Sequence, residues 1–168
     1  MDSFPKWLGP LIRLEDFQGN VSNYLEHVFS VFIKDFVESA PVFKGNKVFH
    51  DNHDDDGKPA AFVHITTEDD HDSGERVICL RRCERISWIR SIIEHADDPS
   101  VLVWEKDQKT DKRRAIRTYL FLEKQDFLVI LQRIKYGHYM ITAIYVDNPG
   151  QKKKHLKAYE TYKNSPKI

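Results

Sequence analysis

After Asp98-Pro99 the hydrophobic period of this chain changes from that of a helix to that of a strand, and it keeps the new period as far as Val146. Val101–Glu105, Arg114–Leu122, Phe127–Ile134 and His138–Val146 are rich in the β-branched and aromatic residues that fit a pleated surface. Turn signals separate the runs, among them Tyr136-Gly137. Strands joined by such short connections can only run antiparallel, because a parallel return needs a long crossover. The spacing therefore predicts a four-stranded meander and rules out an all-helical fold.

The flanks read differently. Between residues 20 and 38, apolar residues fall at Val21, Tyr24, Leu25, Val28, Phe29, Phe32, Ile33 and Phe36, the spacing of an amphipathic helix. Asn20 or Ser22 can cap it, and Pro41 stops it. Residues 42–49 read as a hairpin around Gly45-Asn46, His50–Pro59 as a polar loop, and Ala60–Thr67 as a strand. An acidic loop, Glu68–Glu75, precedes residues 80–96, where a stripe of Leu80, Cys83, Trp88 and Ile92 predicts helix from about 86 onward, with loop or strand before it. Pro149 opens a last helix over 150–163. The expected fold is α+β: an antiparallel sheet of four or more strands with helices packed on one face.

A chain of 168 residues fits one domain, 1–168, in which 1–59 form a helix-and-hairpin extension and 60–163 the core. With 40% hydrophobic and 12% aromatic residues it can bury that core. No apolar run approaches the roughly 20 residues needed to span a bilayer, and the first residues lack the pattern of a secretory leader. Cys79 and Cys83 are too few for a structural zinc site and read as ordinary thiols, so the expected location is the reducing cytoplasm. The formal net charge is zero, yet residues 1–75 hold 15 acidic and 6 basic residues, net −9, and residues 76–168 hold 11 acidic and 20 basic, net +9. A basic half of this kind points to a polyanion, most simply nucleic acid.

The segments RRCERISWIRSIIE, VWEK, DFLVIL and ITAIYV followed by a basic helix, with FVHITT upstream, resemble the phage- and toxin-associated nucleases of the barnase–EndoU–colicin–RelE (BECR) superfamily over roughly residues 60–163. The resemblance implies metal-independent cleavage of RNA, tRNA included, by a toxin or phage-linked effector held in check by an immunity protein or antitoxin. It also implies a His and a hydroxyl residue in the FVHITT segment, hence His64 and Thr66.

Such cleavage uses the ribose 2′-hydroxyl as nucleophile and needs a base, an acid and cations for the phosphorane. His64 suits proton transfer. Read as a strand, Ala60–Thr67 places Phe62, His64 and Thr66 on one face; a hydrogen-bonded edge histidine is the plain alternative. Arg81, Arg82 and Arg85 with Glu84 read either as a phosphate clamp with its orienting carboxylate or as an ion-pair network. The resemblance also implies Thr142, Tyr145 or both at the site; in the last strand they have opposite parity, which argues against both unless a bulge intervenes, and Thr142 is the preferred one. Tyr136 and His138 at a hairpin tip could stack on a base. Lys152, Lys153, Lys154, His155 and Lys157 read as a phosphate-tracking helix or a solvated face. The tract His50–Asp56 lacks the spacing of a metal cage, and neither metal nor cofactor is expected.

Two rival functions stand beside the nuclease: a non-catalytic nucleic-acid-binding module or phage adaptor, and an interaction protein whose acidic half takes a basic partner.

Overall fold

The computed structural model describes residues 3–109 and 113–166. The meander is present: β7 (Val101–Lys109), β8 (Arg114–Leu122), β9 (Phe127–Ile134) and β10 (Gly137–Tyr145) pair antiparallel in chain order. The hairpin β1 (Val42–Phe43) and β2 (Asn46–Phe49) extends it, because β2 docks parallel to β10 through the pairs His138↔Val48 and Tyr139↔Phe49. The result is a six-stranded mixed sheet in the order β1-β2-β10-β9-β8-β7. Gly137 permits the junction: its φ is +146°, and a Cβ there would sit 2.5 Å from the Lys47 carbonyl oxygen. The tight turn of the first hairpin falls on Lys44-Gly45, both at positive φ, one residue earlier than expected.

Helix α1 (Val21–Phe32) starts at Asn20, whose side chain accepts from the Asn23 amide, and runs on as a π-helical segment, Ile33–Glu38. Arg90 ties down its end by donating to the carbonyls of Asp35 and Ser39. Tyr24, Val28 and Phe32 pack with Trp88, Ile89 and Ile92 of α4 (Ile86–Glu94) onto Leu120, Phe127, Val129 and Leu131 of the sheet. The helix and hairpin before residue 60 therefore share one core and one sheet with the rest of the chain.

Two expectations are corrected. Ala60–Thr66 is a helix, α2, not a strand. Ala61, Phe62, Ile65 and Thr66 are its buried residues, a helical pattern, and Phe62 packs against Phe29 and Phe32 at ring-centroid distances of 4.9 and 5.3 Å. Thr66 and Thr67 donate back to the carbonyls of Phe62 and Val63, which satisfies the last turn without a strand partner. Before α2, β3 (Asp54–Asp55) and β4 (Lys58–Pro59) make a small hairpin within the expected polar loop, and beyond it β5 (Thr67–Asp69) and β6 (Arg76–Ile78) form another two-stranded hairpin out of the expected acidic loop. Leu80–Cys83, α3, is likewise a helical turn where loop or strand was expected.

The second correction concerns the layers. α5 (Pro149–Lys163) lies on the opposite face of the sheet from α1–α4, covering Trp104, Tyr119, Phe121 and Leu128 with Leu156, Tyr159 and Tyr162. The β-strands alternate apolar residues to both sides, Leu120 and Leu122 to one and Tyr119 and Phe121 to the other, so each face needs a cover.

Candidate active site

His64 occupies the last turn of α2, and its position is fixed through its backbone. Arg76 of β6 and Arg82 of α3 each donate to the carbonyls of His64 and Thr67, at 3.2 and 2.9 Å respectively. Two guanidiniums at a helix C-terminus complement its dipole and satisfy carbonyls that have no intrahelical donor. Arg76 is fully engaged, since its Nε also meets Thr67 Oγ1 and its Nη1 meets Asp69. Arg76 is thus not free to act as a phosphate fork, whereas Arg82 makes these contacts through Nη1 alone; both are fixed charges beside the imidazole.

The His64 side chain is exposed at the mouth of a cleft of about 450 Å³ between α2 and β10, with Asp51, Arg76 and Tyr139 among its walls. Partial burial, then the charges of Arg76 and Arg82, hold the ring below its ordinary pKa of 6.5. At neutral pH it is an unprotonated base. Burial and the nearby Asp51 push the Tyr139 phenol above its ordinary 10.0, so it stays protonated. The cleft thus holds a proton acceptor and a proton donor, with the fixed charge of Arg76 and the carboxylates of Asp51 and Asp55 on its walls.

The remaining arginines form a second cluster further along β10. The Arg85 guanidinium, 7% exposed, lies 4.4 Å from the Tyr145 ring centre and 5.2 Å from that of Trp88. Its Nη1 donates to the Arg81 carbonyl and to Glu84, while its Nε is buried without a partner. Arg81 is exposed and stacks 5.0 Å above the same Tyr145 ring. A small cleft of about 210 Å³ opens between Arg85, Trp88, Tyr145, Phe4 and Lys124.

The predicted constellation is therefore split. His64 and Arg82 come together; Arg81, Glu84, Arg85 and Tyr145 form another group. Thr66 is 4% exposed and its hydroxyl is spent on Phe62, so it does not share a face with His64. A bulge between Met140 and Thr142 leaves Ala143 and Tyr145 on the core face and pairs Thr142 with Ile130 on the α5 face, away from both clusters. Lys152 is not free for phosphate: its ammonium meets Asp126 at 2.7 Å and Glu123 at 3.4 Å. Lys153, Lys154 and Lys157 are exposed. His138 is buried edge-on to Phe43, whereas Tyr136 is 75% exposed. His50 packs on Phe32 and Phe36, and no group of three metal-ligating side chains occurs among the described residues. Burial raises both thiols, Cys83 to about 12, so neither is reactive at neutral pH.

Sequence reasoning missed Arg76, Tyr139 and Asp51. They come from three separate segments, and nothing local marks them. Comparison with protein-family models, with curated proteins and with solved structures gives no match.

Proposed function

We propose that this protein is a metal-independent endoribonuclease, a toxin or phage-linked effector of BECR type acting on RNA, tRNA among its targets, in the cytoplasm. The observation that carries the reading is the neutral imidazole of His64 facing a cleft it shares with the protonated phenol of Tyr139. His64 takes the proton of a ribose 2′-hydroxyl, the oxygen attacks phosphorus, and the bond to the 5′-oxygen breaks as Tyr139 supplies its proton. The products are a 2′,3′-cyclic phosphate and a 5′-hydroxyl. Arg76 and Arg82, already fixed, stabilise the charge that grows on the phosphorane. The resemblance to BECR nucleases and the net +9 of residues 76–168 support an RNA substrate, and the resemblance also suggests an immunity protein or antitoxin as partner.

A second reading, a nucleic-acid-binding module or phage adaptor without chemistry, is favoured by the exposed Lys153, Lys154 and Lys157, which lie on α5, on the sheet face away from α2. Incubating the pure protein with total RNA in EDTA separates the readings. Cleavage with cyclic-phosphate ends supports the nuclease, a mobility shift without product supports the binding module, and neither outcome leaves a protein-interaction role.

A further inference from the structure

The sheet face that carries α5 is only partly covered. α5 lies over Trp104, Tyr119 and Phe121; the cross-strand row beyond them belongs to neither hydrophobic cluster among the described residues, and only its Lys106 end borders α5, beside Lys154, Lys157 and Tyr162. Register defines that row: Phe49 pairs with Tyr139, Tyr139 with Gln132, Gln132 with Arg117, and Arg117 with Lys106. The neighbours Val48, His138, Leu131 and Thr118 are buried on the other face, so the row points outward. Across four interstrand spacings of ~4.8 Å it spans roughly 19 Å.

Its chemistry is two rings, an amide and two cations. Phe49 is 44% exposed, far more than a sheet phenylalanine needs to be. The side chains of Arg117 and Lys106 have no ion pair or hydrogen bond among the described residues, and the Arg117 Nε is enclosed without a partner. Tyr139, next to the Phe49 end of the row, also borders the cleft of His64.

We propose that this open row is a platform for single-stranded RNA, with unstacked bases on Phe49 and Tyr139 and the backbone along Arg117 and Lys106, leading the strand into the His64 cleft. The inference rests on the RNA reading above and gives its substrate class. Aromatic faces exposed on a sheet stack on bases that a duplex keeps paired, and unpaired cations beside them attract phosphate. A duplex would meet only the cations.

The test is binding of a short 2′-O-methylated oligouridylate, which has no 2′-nucleophile, by fluorescence anisotropy. The single strand binds more tightly than the matching duplex or poly-glutamate. Phe49→Ala and Tyr139→Ala each weaken it roughly 5- to 150-fold, the range of losing one base–aromatic stack. Tyr139→Phe keeps the ring, so it retains binding while losing cleavage. Arg117→Ala lowers the slope of log affinity against log salt by about one. Phe49→Trp retains affinity, and its emission is quenched by the bound strand, a readout that stands even if Phe49→Ala fails to fold. Unchanged affinity in the ring variants, or equal affinity for duplex or poly-glutamate, overturns the platform and leaves the nuclease reading intact. Failure of the wild type to bind the single strand overturns the platform, and failure to cleave RNA as well overturns both.

Discussion

Arg82 touches His64 at its main chain and not at its ring: the guanidinium donates to the His64 carbonyl at 3.2 Å and to that of Thr67 at 2.9 Å. One contact thereby finishes the α2 helix and places a fixed positive charge beside the imidazole. Arg82→Ala removes that charge, so the His64 pKa rises toward 6.5. An NMR titration of His64 checks this; an unchanged or lower value contradicts it.

His50, His64, His138 and His155 all sit below their ordinary pKa of 6.5, chiefly through burial. Above that value both folded and unfolded chains leave them neutral, and nothing is lost. Below it the unfolded chain binds protons that the folded one refuses, so stability falls as the pH drops through the mid-6 range and below. Melting temperatures measured between pH 8 and pH 5 should decline. A rise over the same interval contradicts the assignment.

The meander was legible because strand length, alternation and turn residues agree over each run, as the match at Arg114–Leu122 and Phe127–Ile134 shows. Ala60–Thr66 was not, because seven residues rich in β-branched side chains fit either period, and only the packing of Phe62 against Phe29 and Phe32 decides it. Parallel docking of β2 on β10 and the side on which α5 lands are long-range choices with no local signal. Of the site, His64 could be chosen by residue type. Its companions Arg76 and Tyr139 could not, since the fold alone brings their segments together.

Arg85 is held by geometry that a lysine cannot copy: a planar group between two rings, donating to the Arg81 carbonyl and to Glu84. Arg85→Lys should cost about 2–4 kcal/mol, from a desolvated cation–π contact and charged hydrogen bonds. Urea unfolding measures the loss, and a cost near zero contradicts the role.

Gly137→Ala places a methyl group 2.5 Å from the Lys47 carbonyl oxygen at a φ of +146°. Strain and the displaced β2 edge should destabilise the protein by more than about 1 kcal/mol. Hydrogen exchange should quicken at Phe49 and Tyr139 before it does in β8; uniform or absent change contradicts the junction's dependence on glycine.

His64 is the proposed base for RNA cleavage. His64→Ala, with its fold verified by circular dichroism, should lose roughly 100- to 10,000-fold in cleavage rate, the contribution typical of a general acid or base. The wild-type rate should rise with pH through an inflection below 6.5 as the imidazole becomes neutral, and this limb should vanish in the variant. Full turnover of RNA by folded His64→Ala protein contradicts the account.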